Sequence, residues 1–284
     1  MIKIIDGKKM SASIKEELKA EVDKITENGQ RAPGLAVVIV GENPASKVYV
    51  NSKVKTCGIL GIYSEKHNLD SETTEVELLK LIEELNNKEE IDGILVQLPL
   101  PKHIDEDKII EAIKPEKDVD GFHPINLGKL VIGKNGFKSC TPYGIMELLK
   151  RYEIDLNGKD VVIVGRSNIV GKPLSLMLTN SNATVTLCHS RTKNLAQKTL
   201  NADIVIVAIG REKFLTEDMV KEGSIVIDVG INRNKLGKLC GDVDFENVSK
   251  KTSLITPVPG GVGPMTIAML MKNTVKSRIG KNIN

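Results

Sequence analysis

Tyr49 and Lys53 stand four residues apart in the stretch Pro44-Ala-Ser-Lys-Val-Tyr-Val-Asn-Ser-Lys-Val-Lys-Thr-Cys57. On a helix that spacing puts both side chains on one face, so a phenol and an ammonium can handle a proton together. Burial or a neighbouring cation drives a lysine toward its neutral, basic form, as a general base requires. Taken alone, the pair is the common pattern of a surface helix with an ordinary tyrosine and a solvated lysine, since i,i+4 pairs are plentiful in any helix. Two more polar groups fall where a ligand can be held. Gln97 opens Gln97-Leu-Pro-Leu-Pro101, whose prolines stiffen the chain and can take a cis bond. Asp120 lies in Lys117-Asp-Val-Asp-Gly-Phe-His-Pro124. By themselves Gln97 is a loop amide and Asp120 a turn former before glycine. At a ligand site, a carboxylate can grip an edge that presents two adjacent N–H donors.

A second group of residues suits a dinucleotide. Gly165-Arg-Ser-Asn-Ile-Val-Gly-Lys-Pro173 follows an apolar run and precedes a helical one, so Gly165, Arg166, Ser167, Ile169 and Val170 offer a turn at a helix N-terminus to a pyrophosphate. Its two glycines are six apart, unlike the common G-x-G-x-x-G fingerprint. The next apolar run ends in His189-Ser-Arg-Thr192 with no acid for ribose hydroxyls. Ser190 and Arg191 suit a 2′-phosphate instead, which favours NADP over NAD; Ser190 can also simply cap a helix. Gly230-Ile231-Asn232 is a further strand-end turn, placed to lie beside the nicotinamide. Thr256-Pro-Val-Pro-Gly-Gly-Val-Gly-Pro-Met-Thr266 predicts a rigid loop of close backbone approach before a last helix from Met265 to about Ser277.

The elements that must position these groups alternate. Helical periods cover Ser11 to about Asn28, Pro44 to Gly58, Thr73–Asn86 and Asp105–Ile113; buried strands are expected at Leu35–Val40 and Asp92–Leu98, with a further strand at Gly61–Lys66. After Gly121 the period fades through Gly128, Gly133 and Gly136, the pattern of an interdomain stretch. A helix at Pro142–Tyr152 and strands at Lys159–Gly165, Ala183–Cys188, Asp203–Ala208 and Ser224–Val229 form a second α/β pattern. Ligands of parallel sheets bind beyond the carboxyl ends of the strands, where every group above falls.

Composition bounds the rest. The 284 residues allow one large domain or two ordinary ones. Forty basic against 37 acidic residues, with 3% aromatics and no Trp, do not indicate a nucleic-acid partner. Cys57, Cys140, Cys188 and Cys240 form no C-x-x-C, and the four histidines no H-E-x-x-H, so neither a disulfide framework nor a metal is expected. The opening Met-Ile-Lys-Ile-Ile-Asp is too quickly charged for a signal peptide, and no run of 18 apolar residues predicts a membrane span. These features suit a cytoplasmic enzyme or binding protein.

Taken in order, the stretches Ser46–Cys57, Gln97–Pro101, Lys117–Pro124, Gly165–Pro173, His189–Thr192 and Pro257–Thr266 closely resemble the bifunctional methylenetetrahydrofolate dehydrogenase/methenyltetrahydrofolate cyclohydrolase family. One departure is Ser139 before Cys140-Thr-Pro142, where that family's pattern has Pro. The resemblance implies two α/β domains around a cleft. The first, 1–139 completed by 264–284, binds and transforms folate; the second, 140–263, is a Rossmann-like NADP-binding domain, and the last helix returns to the first. It implies a homodimer and two reactions on tetrahydrofolate one-carbon derivatives: NADP-dependent oxidation of the methylene form, then hydrolysis of the methenyl form to 10-formyltetrahydrofolate. By the same resemblance Lys53, Tyr49, Gln97 and Asp120 are catalytic, with Tyr49 stacking on the folate and bonded to Lys53. Leu98, Pro99, Pro259, Gly260, Gly261 and Pro264 join them around the substrate. Two other classes fit parts of the chain: a monofunctional NADP dehydrogenase of another small substrate, and a non-catalytic NADP(H)-sensing module. Hydrolysis of methenylfolate without cofactor separates the family reading from both.

Overall fold

The computed structural model describes residues 3–280. In chain order the first elements are β1 (Lys3–Ile4), α1 (Gly7–Glu27), β2 (Gly34–Val40), α2 (Pro44–Leu60), β3 (Tyr63–Leu69), α3 (Glu75–Asn87), β4 (Gly93–Val96), α4 (Glu106–Ala112) and α5 (Pro124–Val131). There follow α6 (Cys140–Arg151), β5 (Asp160–Val164), α7 (Gly171–Thr179), β6 (Thr184–Cys188), α8 (Leu195–Asn201), β7 (Ile204–Val207) and β8 (Ile225–Asp228). The last are β9 (Asn232–Arg233), β10 (Leu239–Cys240), α9 (Phe245–Val248), β11 (Leu254–Ile255) and α10 (Val262–Gly280). They make two compact units, residues 13–138 with 267–280, and residues 3–12 with 139–266.

The first of these units is built on a parallel three-stranded sheet in the order β3-β2-β4. β2 is buried along its whole length, as its unbroken apolar run Gly34-Leu-Ala-Val-Val-Ile-Val40 requires of a central parallel strand. A parallel bridge from Ile94 to Asp118 extends the β4 edge by one segment. Leu78, Ile82 and Leu85 of α3 pack with Val38, Ile94 and Ile109 in one core. α3 starts on a capping box in which Thr74 and Glu77 satisfy each other's backbone N–H groups. The carboxyl-terminal part of α10 closes this unit through side-chain amide and hydroxyl bonds. Asn273 Nδ2 donates to the Val119 and Lys138 carbonyls, and Ser277 Oγ to those of Asp92 and Glu116.

Two element readings change. The helix bearing Tyr49 and Lys53 does not stop at Gly58 but at Gly61, whose φ of 75° is the left-handed turn that ends a helix cheaply only at glycine. The Ile62 N–H then closes back onto the Cys57 carbonyl at 2.9 Å. The stretch after Gly121 is not all linker: it contains α5, started by Pro124 at its first turn and capped by His123 Nδ1, which accepts from the Ile125 N–H.

The other unit carries a six-stranded parallel sheet in the order β1-β11-β8-β7-β5-β6 and the short antiparallel ribbon β9–β10. Strand order reverses at β5, which has β6 on one side and β7 on the other, so the switch point of this doubly wound sheet lies at the end of β5. The division of the chain also differs from the expected 1–139 and 140–263: residues 3–12 go with the second half. β1 pairs in parallel with β11, and the Lys8 N–H donates to the Gly260 carbonyl at 2.9 Å. Gly7 is required at this contact, since a Cβ there would lie 1.8 Å from the Gly261 carbonyl oxygen.

Candidate active site

In the first unit, β2 delivers the chain through Gly41 into α2, with Asn43 Oδ1 accepting the Ser46 N–H and Pro44 at the first turn. Tyr49 and Lys53 therefore share a face of α2, but they part in environment. Tyr49 remains 39% exposed, whereas Lys53 is buried to 9%. Lys53 Nζ donates to Gln97 Oε1 at 3.0 Å, and Gln97 Nε2 donates to the Leu98 carbonyl at 2.7 Å. The second bond fixes which way the amide faces, so its oxygen is the atom aimed at the lysine. Among the described residues no hydrogen bond joins Tyr49 to Lys53, contrary to expectation. The shared face brings their Cβ atoms close, and the lysine stem then turns inward to the end of β4. No carboxylate pairs with Lys53 among the described residues. Its partner is a neutral amide that steers Nζ.

Gln97 follows β4 directly, its N–H bonded to the Val38 carbonyl at 2.8 Å. Leu98 and Pro99 are joined by a cis peptide, and the Leu100 N–H donates to Glu106 Oε1 at 2.9 Å. Asp120, half-buried, follows the segment that bridges to Ile94. It is braced on both sides. On one, the Val119 carbonyl accepts from Asn273. On the other, Gly121 takes φ 76° and donates its N–H to Asp118. Gln97 and Asp120 thus end neighbouring segments of one parallel sheet, at the edge where α2 begins.

Asp118 was not singled out from sequence. It is 2% exposed and accepts four donors: the N–H groups of Gly121, Phe122 and His123 at 3.1, 3.1 and 2.9 Å, and Asn126 Nδ2 at 2.8 Å. Burial pushes its carboxyl up to about 6, with the donors pulling the other way. It is still mainly ionised at neutral pH, and an acceptor-only group matches four donors. The doublet Asp-Val-Asp was visible, but only the bridge to β4 shows which carboxylate turns inward.

In the second unit, Gly165 ends β5 with φ 128°, and a Cβ on it would lie 2.3 Å from the Ala208 carbonyl oxygen at the end of β7. Arg166, Ser167 and Ile169 are exposed on the turn, and Ser167 Oγ accepts the Val170 N–H at 3.1 Å before α7 starts at Gly171. Beyond β6, Ser190 and Arg191 are exposed. A cavity of about 590 Å³ opens here, lined by Arg191, Lys193 and Lys198 with His189, Thr192, Asn194, Gln197 and Asn201, and by no carboxylate. Lys193, two residues beyond Arg191, and Lys198, on α8, add to the cationic group read from sequence. Three cations without an acid fit the doubly charged 2′-phosphate of NADP and not the bare ribose of NAD. Ile231 is 48% exposed on the turn after β8. Pro259, Gly260 and Gly261 belong to the loop after β11, held by Lys8, while Pro264 sits in the first turn of α10, which starts at Val262 and not at the expected Met265; Ser11 Oγ donates to the Pro264 carbonyl at 3.0 Å. The Val258–Pro259 bond is cis. Among the described residues no cluster of His, Cys, Asp and Glu can hold a metal ion, and no helix is long and apolar enough to cross a membrane.

Residues 5–120 match the family model of the tetrahydrofolate dehydrogenase/cyclohydrolase catalytic domain, and residues 139–281 match that of the tetrahydrofolate dehydrogenase/cyclohydrolase NAD(P)-binding domain. The bifunctional protein FolD of Campylobacter hominis is 60% identical over 276 residues, covering 97% of each chain. The crystal structure of the bifunctional enzyme FolD, a methylenetetrahydrofolate dehydrogenase/cyclohydrolase from Campylobacter jejuni, superposes with a TM-score of 0.97 at 57% identity over 99% of this chain and 100% of that one. The Trypanosoma brucei methylenetetrahydrofolate dehydrogenase-cyclohydrolase, solved with NADP cofactor and inhibitor, gives 0.93 at 37% identity over 99% of this chain and 98% of that one. With both of its halves matched and such relatives along nearly its whole length, the chain belongs to the tetrahydrofolate dehydrogenase/cyclohydrolase family.

Proposed function

We propose that this chain oxidises 5,10-methylenetetrahydrofolate to 5,10-methenyltetrahydrofolate with NADP and hydrolyses the product to 10-formyltetrahydrofolate, two steps of one-carbon supply. The observation that carries the reading is the buried Lys53 held by Gln97 at 3.0 Å, at the strand-end edge shared with Asp120. When bound, NADP supplies the hydride acceptor for the oxidation. Arg166, Ser167, Ile169 and Val170 would line its phosphates, and Ser190 and Arg191, helped by the Lys193–Lys198 cluster, its 2′-phosphate. Ile231 would flank its reactive end.

The chain's own residues then do three things. Asp120 accepts from adjacent N–H donors of the pterin and fixes its orientation, which is most of what a hydride transfer needs. Tyr49, exposed on α2, offers its ring for stacking. Lys53 takes part in the hydrolysis: Nζ, aimed by Gln97, positions the attacking water and carries its proton at the tetrahedral stage. Leu98 and Pro99, and Pro259, Gly260, Gly261 and Pro264, supply rigid walls around the substrate. We also propose a homodimer in the cytoplasm. Support comes from the family resemblance and from Cys57, Cys188 and Cys240, which form no disulfide; sedimentation velocity checks the dimer.

A spectrophotometric assay tests the reading. Purified protein converts methenyltetrahydrofolate with no cofactor present and oxidises methylenetetrahydrofolate only when NADP is added. Oxidation without hydrolysis would make it a monofunctional dehydrogenase. The cofactor assignment is tested separately. Arg191→Ala raises KM for NADP about 10–100-fold, the worth of a charge-assisted bond to phosphate, and leaves KM for NAD within threefold. A wild-type protein that prefers NAD sinks the assignment of Ser190 and Arg191.

A further inference from the structure

Two carboxylates that the proposed reaction does not use are buried beside the cofactor half of the chemistry. Asp228 ends β8 and is 3% exposed; Asp242 follows β10 and is 0% exposed. Among the described residues neither pairs with a cation; each instead collects N–H donors from strand-end loops. Asp242 Oδ2 accepts from the Ile209 and Gly210 N–H groups at 2.7 and 3.0 Å. Its Oδ1 accepts from the Arg211 N–H at 2.7 Å and from Asn232 Nδ2 at 2.9 Å. Asp228 Oδ1 accepts from the Gly230 and Asp242 N–H groups at 2.9 Å each, and Oδ2 from Val243 at 3.0 Å. The Asp228 N–H in turn donates to Thr256 Oγ1 at 2.7 Å.

The segments after β7, β8 and β10 are thereby tied to one pair of side chains, and the Asp228 main chain adds a bond to Thr256 after β11. The packing leaves no slack, since a Cβ on Gly230 would lie 2.3 Å from Asp242 Oδ1 and one on Gly241 1.8 Å from Asp228 Oδ2. Bringing two carboxylates together in the interior is costly, and burial and the neighbouring Asp242 push Asp228 up to about 6. A fold needing only a filled space here would do better with apolar side chains. What the pair accomplishes is to fix Ile209–Arg211 and Gly230–Asn232 at the carboxyl edge of the sheet, next to the Gly165 turn, whose glycine abuts Ala208. Ligands of a doubly wound sheet are received at that edge.

We propose that Asp228 and Asp242 are positioning residues for the oxidation, holding the loops after β7 and β8 in the form that receives the nicotinamide end of NADP. This rests on the reading above, and it divides the two activities: hydrolysis of methenylfolate needs no cofactor and is independent of the pair.

Asp242→Asn tests it, because the amide turns a donor toward Arg211 and Asn232. Equilibrium titration with NADP should show affinity weakened about tenfold. Backbone hydrogen exchange at 209–211 in the NADP-free protein should quicken at least tenfold, with that of β4 unchanged. Cofactor-free methenylfolate hydrolysis should stay within twofold. Adding Asn232→Asp gives the amide an acceptor and should recover NADP affinity to within about threefold of wild type. Should Asp242→Asn fail to fold, Asn232→Ser, which removes one of the four bonds, should weaken NADP binding about threefold with hydrolysis intact. Unchanged NADP affinity and exchange in Asp242→Asn, or in Asn232→Ser if that variant stands in for it, overturns the proposal. So does an equal fall in both activities, which marks a merely structural role. A wild-type protein that binds NADP but oxidises no methylenefolate instead defeats the functional reading, and leaves the binding and exchange results to judge the pair.

Discussion

Lys53→Met lowers cofactor-free hydrolysis of methenyltetrahydrofolate by about 10²–10⁴-fold, the usual worth of a positioned general acid–base group. NADP-dependent oxidation of methylenetetrahydrofolate falls less than tenfold. The asymmetry follows from the chemistry of the two steps. In the oxidation a hydride leaves without a proton, so a proton-carrying group has little to do beyond contact with the substrate. In the hydrolysis, water adds to an electrophilic carbon and a proton must be handled at the tetrahedral stage. Met keeps the length and apolar stem of the lysine in a position only 9% exposed, so packing changes little and the lost function is that of Nζ. The geometry adds a second arm. Because Gln97 Oε1 accepts a hydrogen bond from Nζ at 3.0 Å and Nε2 is anchored on the Leu98 carbonyl, Gln97→Leu should lower hydrolysis in the same direction but by less, leaving the lysine present and misdirected. Stopped-flow decay of methenylfolate and steady-state oxidation rates give both numbers. Equal, small losses in the two assays would exclude the role given to Lys53.

How far such a site can be read from a sequence depends on whether its determinants are local. The helix bearing Tyr49 and Lys53 was legible because Pro44, the i,i+4 spacing and the preceding apolar strand are neighbours in the chain. Its end was misplaced because Gly58 and Gly61 look alike, and only the positive φ of Gly61 tells the stop from a tolerated interior glycine. α5 was missed for a related reason. Gly128, Gly133 and Gly136 read as linker, while the start signal, His123 capping Ile125 ahead of Pro124, is a single side-chain bond. The strand-end position of Gln97 and the absence of an acid near Ser190 were local and therefore visible. The carboxylates that hold the loops were not. Asp242 meets Ile209 33 residues away, and Asp228 meets Asp242 at a separation of 14. Nothing in the spacing of those aspartates distinguishes them from turn formers until the sheet order is known.

The same device recurs in both units, and it shapes what is expected at Asp120. Asp118 holds the Gly121–His123 backbone as Asp242 holds Ile209–Arg211, each taking three main-chain donors and one asparagine amide. With Asp118 facing inward and saturated, Asp120 is the carboxylate of the pair left half-exposed at the strand-end edge, its backbone pinned by Asn273 on one side and by Asp118 on the other. A ligand edge with two adjacent N–H donors gains about 1.5–3 kcal/mol from each bond to such an anion. Asp120→Asn keeps the shape but turns a donor against a donor and removes the charge. Losing one charged bond outright and the charge assistance of the other is therefore worth about 2.5–4.5 kcal/mol, a fall of about 10²–10³-fold in kcat/KM at 1.4 kcal/mol per decade. Both reactions act on the same pterin, so both should fall together, unlike the split expected at Lys53 or Asp242. NADP affinity, measured by titration, should remain within twofold, since Asp120 belongs to the unit that does not carry the cofactor turn. Hydrolysis retained within threefold of wild type in Asp120→Asn would remove Asp120 from the substrate grip and leave the doublet as a turn alone.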